Sequence, residues 1–166
     1  TKGLVPDDIP TPYANTPSFN GSHIHGYDAM LVSILQTLTE GQKLDGRCTG
    51  KINLIPGFDA NTGNFREYKR IFAEFGVPCT ILGDISDVFD SPLDGTYRIY
   101  PGGTPLADAA DSINGKATIN LGPYSAIKTF AWVKDHYAGK HVALPMPLGV
   151  ARTDALLMAI SEVTGK

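Results

Sequence analysis

The chain has 166 residues, 42% of them hydrophobic and 19% charged, with a formal net charge of −3. That length fits one domain with a real core, and the hydrophobic fraction is ordinary for a globular protein. The weak negative charge gives no basis for binding nucleic acid or an acidic membrane, and no apolar run approaches the roughly 20 residues needed to cross a bilayer. Residues 1–26 read as an irregular lead, because prolines at 6, 10, 12 and 17 deny it helix and central strand. Such a segment needs something to lie against, either its own domain or a partner. It has neither an initiator methionine nor a signal peptide. The chain is therefore expected to start inside a longer reading frame and to work in the cytoplasm, where its two cysteines stay reduced.

Residues 27–166 read as a single α/β domain. Tyr27, Met30, Leu31, Ile34, Leu35 and Leu38 fall on one face of a helix that begins near Tyr27, with Asp28 in its first turn. A polar loop follows over 39–50. Lys51–Ile55 is a strand stopped by Pro56-Gly57. Asn64, with Glu67 three residues on, predicts the start of a second helix, carrying Phe65, Tyr68, Phe72 and Phe75 and ending at Gly76. Cys79–Asp84 is the next strand, residues 85–95 a loop, and Tyr97–Tyr100 a short strand of alternating type. Pro101 to Pro105 turn the chain into a short helix over 105–111. Ala117–Gly122 is a strand. Tyr124, Ile127, Phe130, Ala131 and Tyr137 mark a further helix. His141–Pro145 is a strand, and Thr153 caps a last helix that ends at Gly165. Strands that alternate with helices predict an open, mostly parallel sheet in a three-layer sandwich. Ligands of such sheets bind beyond the carboxyl ends of the strands.

The common catalytic signatures are missing. There is no P-loop, no dinucleotide-binding glycine fingerprint and no nucleophile elbow. Cys48 lies in a polar loop and Cys79 opens a strand, too few and too far apart for a metal site. His23 and His25, one residue apart, would point the same way on an extended segment and could share a metal; otherwise one is exposed and one hydrogen-bonded. His136 and His141 flank a surface loop and read as solvated. Gly102-Gly103-Thr104 could hold an anion or simply turn the chain. Asp84, Asp87 and Asp90 could hold a cation, but Ser86, Ser91, Pro92 and Gly95 around them favour turn chemistry. Asn20-Gly21-Ser22 matches a glycosylation sequon, discounted without a secretory signal. Thr16-Pro17-Ser18, taken alone, is a turn and cap signal.

One resemblance reaches across the chain. Thr16-Pro17-Ser18-Phe19 with Gly21-Ser22-His23, Lys51 to Phe58, Gly63-Asn64-Phe65-Arg66 with Lys69-Arg70, Phe89 to Pro92, Tyr100 to Thr104, and Asp154 with Ser161-Glu162 occur in the order found in β subunits of nitrogenase component I. The chain resembles that family, more the molybdenum than the vanadium type. The resemblance implies a Rossmann-like domain from the middle of a longer subunit. It implies an α2β2 assembly, with the α subunit and a second β subunit as partners and the ATP-hydrolysing iron protein as a transient one. In that assembly an [8Fe-7S] P-cluster at the α/β contact relays electrons for reduction of dinitrogen to ammonia. Ser18 matches the serine that supplies an oxygen ligand to the cluster. The three β-subunit cysteines of the cluster are expected upstream, so Cys48 and Cys79 are not among its ligands. The isolated chain is expected to bind no cluster and to be inactive. The alternatives are a related cofactor-assembly scaffold and a plain α/β binding module.

Overall fold

The computed structural model describes residues 4–166 apart from 7, 18, 20, 46, 93 and 96–101. Four short strands build the centre: β1 (Ile52–Ile55), β2 (Cys79–Ile81), β3 (Ala117–Asn120) and β4 (Lys140–Ala143). They form one sheet in the order β2-β1-β3-β4, and every pairing is parallel. Ile52 stands beside Cys79 on one side and Ala117 on the other, so the strands start level. β1 and β3 are buried along their whole length, as expected for strands covered on both faces.

Alternation along the strands divides the core in two. Ile52, Leu54, Ile81 and Ile119 pack with Phe65, Tyr68 and Phe72 of α2 (Thr62–Glu74) and with Leu156 and Ile160 of α6 (Val150–Thr164). Ile55 and Leu82 pack on the opposite face with Leu31 and Leu35 of α1 (His23–Thr39) and Val133 of α5 (Ile127–His136). The open parallel sheet between two helical layers is the architecture the sequence pattern predicts. α3 (Ser86–Phe89) and α4 (Leu106–Asp111) are short connectors, α3 lying where the sequence reads as loop.

The element starts move for identifiable reasons. α1 begins at His23, a turn earlier than its apolar stripe. Ser22 is its N-cap, and the Ser22 backbone N–H donates to His25 Nδ1 at 3.2 Å. His25 thus fills the place that glutamate or glutamine usually takes in a capping box. Asp28 is not in the first turn, and Met30 is 38% exposed rather than core. α2 is capped by Asn61, whose side chain accepts the Gly63 N–H at 3.0 Å. Glu67 pairs with Arg70 instead of closing a capping box. Thr153 is no cap either. Its hydroxyl donates back to the Gly149 carbonyl at 2.9 Å, and Gly149 is the residue before the helix. Gly165 ends α6 in the left-handed region, as read from the sequence. The strand expected at Tyr97–Tyr100 lies outside the described residues.

Candidate functional site

The carboxyl ends of the strands and the amino end of α1 meet at one edge of the domain. β1 runs into Pro56-Gly57-Phe58, and the Phe58 N–H donates to Ser125 Oγ at 2.9 Å. β1 and β3 are the neighbours between which the strand order reverses, the usual ligand crevice of such sheets. Here the two backbones close on each other. A Cβ on Gly57 would stand 2.6 Å from Gly122 Cα and 2.5 Å from Ser125 Oγ. What remains is a shallow apolar cavity of about 210 Å³ beside Phe58, Tyr124 and Arg152.

The lead lies against its own domain. Tyr13 bonds to Ser33 of α1 through both its N–H and its carbonyl, at 2.9 and 2.6 Å. Thr16 rests on Gly26, its methyl 3.8 Å from the place a Cβ would take there. Between the lead and the start of α1 is an open concavity of about 500 Å³, walled by Asn15, Thr16, Pro17, Gly21, His25 and Lys128 among others. Ser18 itself lies outside the described residues, as does Asn20 of the sequon. Phe19 is 91% exposed, an apolar ring standing free of the domain.

His23 and His25 are helical, not extended. Two residues apart on a helix they face different ways, which removes the expected shared metal. His23 packs on Phe58 with ring centroids 4.8 Å apart. Beside it Tyr27 meets the same phenyl ring edge-on, and burial, helped by Asp28 and Asp59, pushes its hydroxyl well above the usual tyrosine range. His136 stacks on Trp132 at 4.5 Å. His141 is half-buried rather than fully solvated. Its Nε2 is buried without a partner among the described residues, and burial, with Lys134 second, holds its pKa below the ordinary value.

The acidic loop resolves as turn and ion-pair chemistry. Lys69 of α2 reaches Asp84 at 2.7 Å and Asp87 at 3.6 Å, and Arg66 pairs with Asp90. Among the described residues no group of three histidine, cysteine or acidic side chains is placed to hold a metal. Thr104 Oγ1 accepts the N–H groups of Gly83 and Asp84 at 3.2 and 3.1 Å and donates to the Ile81 carbonyl. A Cβ on Gly102 would meet Asp87 at 2.7 Å. The Gly-Gly-Thr turn therefore abuts a carboxylate, which disfavours an anion there. Burial raises the Asp84 pKa, but the Lys69 ammonium and the N–H and hydroxyl of Ser86 outweigh it and hold the carboxyl below its ordinary value. The unfolded chain binds the proton more readily, so this stability is present above about pH 3.9 and disappears as pH falls through the folded value. Asp84→Asn is expected to flatten the acid limb of the stability curve below about pH 4, as urea midpoints across pH would read.

The model of the nitrogenase component 1 type oxidoreductases matches residues 2–166. The chain belongs to that family. It is 54% identical over 164 residues to the nitrogenase molybdenum-iron protein beta chain of Nostoc sp., covering 99% of this chain and 32% of that one. It is 48% identical to the protein of the same name from Crocosphaera subtropica, with the same coverage of each. Among solved structures, "Nitrogenase Cp1 at pH 6.5" superposes with a TM-score of 0.83 at 37% identity, over 93% of this chain and 33% of that one. The chain thus spans about a third of the length of the curated relatives it matches.

The described donors of this nitrogenase-family chain do not by themselves make a cage for a metal cluster. Cys79 stands at the amino end of β2, across the sheet from the start of α1, and burial, with Asp84 second, raises its thiol far from thiolate formation. Cys48 is exposed in a loop remote in sequence from the lead. Ser18, the donor to which the family resemblance points, lies outside the described residues. Sequence reasoning missed Ser33 and Ser125, and gave Asp28 to the start of α1 when its carboxylate accepts from Lys128 and Thr129 of α5. Ser33 left one signal, a polar residue inside an otherwise apolar helical stretch.

Proposed function

We propose that this chain is the part of a nitrogenase component I β subunit, of the molybdenum type, that presents Ser18 to an [8Fe-7S] P-cluster shared with an α subunit. The reading is carried by the 54% identity over 164 residues to a molybdenum-iron protein beta chain, within a family match that spans the Thr16 to Phe19 tetrad. In the cytoplasmic α2β2 assembly the cluster would relay electrons from the ATP-dependent iron protein for the reduction of dinitrogen to ammonia. The chain's own part is positional and acid–base. A serine hydroxyl is a weak ligand until it loses its proton, and a nearby metal ion makes that loss feasible. Ser18 would hold the cluster through its side-chain oxygen, a charged donor once the hydroxyl proton has left. Pro17 stiffens the backbone before it. The separate chain supplies one donor and is inactive by itself.

The test is Ser18→Ala in the complete complex, with the EPR spectrum of the oxidised cluster as readout. Loss of the oxygen ligand is expected to change that spectrum while iron content stays at the wild-type level. An unchanged spectrum at full iron occupancy would remove Ser18 from the cluster.

A further inference from the structure

We infer that the gap between α1 and α4 is a binding site for a small, uncharged, apolar molecule. It is a cavity of about 210 Å³, walled by Leu31, Leu35 and Leu38 of α1, by Leu82 just past β2, and by Leu106 and Ala109 of α4. None of its walls belongs to the lead. The lengths of the two helices leave it open. α1 has 17 residues and α4 only 6, so α4 covers part of the apolar stripe of α1 and stops. The α4 sequence, Leu-Ala-Asp-Ala-Ala-Asp, then puts the small Ala109 side chain against that stripe. Protein interiors are normally packed as densely as organic crystals, with few voids larger than a water molecule. Leu35 and Leu82 on its walls are each 1% exposed, so the gap adjoins the packed core rather than a loose surface.

The polar residues on the walls decide the class of guest. Gly83, Asp84 and Thr104 line one end. A threonine hydroxyl has one proton to donate and two lone pairs. Thr104 uses all of them: it accepts from the Gly83 and Asp84 N–H groups at 3.2 and 3.1 Å and donates to the Ile81 carbonyl at 2.6 Å. The same bonds occupy both N–H groups. The Asp84 carboxylate is neutralised by Lys69 at 2.7 Å and accepts the N–H and hydroxyl of Ser86 at 3.0 and 2.8 Å. No N–H or hydroxyl of these three residues is free to orient a polar guest, and a cation meets no unpaired carboxylate. A charged or polar guest therefore gives up its hydration for too little in return. Water is poorly served too, because a buried water needs about two to four polar partners. An apolar guest gains dispersion contacts with the leucine and alanine methyls and gives up no hydrogen bond. About 150 Å³ of leucine- and isoleucine-lined space is enough for benzene or xenon, so the volume suits a guest of that size.

Crystals of the full-length protein in its native assembly, held under xenon pressure, provide the test, with the anomalous signal of xenon as readout. The expected result is a xenon atom in van der Waals contact, about 4 Å, with Leu31, Leu35, Leu82 and Ala109. Ala109→Leu fills the gap from α4 and is expected to abolish that peak while xenon bound elsewhere stays. Ile34→Phe fills it from a half-buried position on the α1 wall, with the same loss expected, and serves if the first variant does not fold. Benzene soaked into the wild-type crystals is expected to enter the gap. Imidazole, a ring of similar size that carries a donor and an acceptor, is expected to stay out. Xenon that enters other cavities of the protein but not this one would overturn the inference, as would a peak that survives a filling variant. Imidazole hydrogen-bonded to Asp84 or Thr104 would overturn the apolar class. A side chain from the rest of the assembly seated between α1 and α4 would show the gap to be a packing contact and overturn it as well.

Discussion

Asp28→Ala is expected to cost about 3 kcal/mol of folding stability, the sum of a lost helix cap and buried donors left without a partner. Asp28 sits on α1 but caps α5. Its carboxylate accepts the N–H of Lys128 at 2.8 Å, the N–H of Thr129 at 2.9 Å and the Thr129 hydroxyl at 2.7 Å. Residue 126, at the N-cap of α5, is an alanine and makes no side-chain cap of its own. The first turn of α5 therefore borrows its cap from a residue 100 positions earlier. The carboxylate also faces the positive end of the α5 dipole. Asp28 and Thr129 are both buried, so water cannot replace the lost bonds. Asp28→Asn keeps one oxygen acceptor and is expected to lose only about 1 kcal/mol. Urea unfolding reads both effects as a lower midpoint at constant slope. A loss below about 1 kcal/mol for the alanine variant would mean that α5 starts without this cap.

Gly57→Ala is expected to cost more, about 4 kcal/mol, and to leave much of the protein insoluble. Two penalties add at this position. Gly57 has φ +81°, a region that residues with a Cβ enter only under strain. Its Cβ would also stand 2.6 Å from Gly122 Cα, a backbone atom that cannot swing aside as a side chain can. The close approach occurs where β1 and β3 part, so relief would need the two central strands to separate. Gly41→Ala is the control. Gly41 has a similar φ of +76° with nothing within 4 Å of the new methyl. It is expected to show only the backbone penalty, roughly 1 to 2 kcal/mol. Equal losses at the two sites would mean that the crevice is softer than its packing indicates.

The sheet was legible because its strands are short apolar runs stopped by punctuation, such as Ile52 to Ile55 before Pro56-Gly57. The helical faces were legible where packing is simple, as for Phe65, Tyr68 and Phe72. Helix starts were less so. The first turn of α1, His23 to Gly26, carries no apolar period, and its cap uses a histidine where the usual pattern has an acid or amide. Tyr124 was read as part of the helix that carries Ile127, yet α5 starts only at Ile127 and shows that end to solvent, with Tyr124 87% and Ile127 61% exposed. The long-range polar contacts were invisible in principle. Nothing local to Asp28 or Ser33 names a partner 100 or 20 residues away. Arg66 and Lys69 stood out in sequence as a basic helix, but their targets in the Asp84 to Asp90 loop appear only once α2 lies beside it. The assignment of Ser18 did not come from spacing at all. It came from the likeness of the tetrad and of the blocks that follow it to one family, and its geometry is a matter for the assembled protein.

The most direct measurement is therefore a crystal structure of the complete α2β2 complex in its oxidised state, refined for the distance from Ser18 Oγ to the nearest iron. A distance of about 2 Å, the range of metal–oxygen bonds to protein donors, is the expected result. A hydroxyl turned away from the metal and beyond hydrogen-bond range of any cluster atom, in a complex with full iron content, would contradict the account.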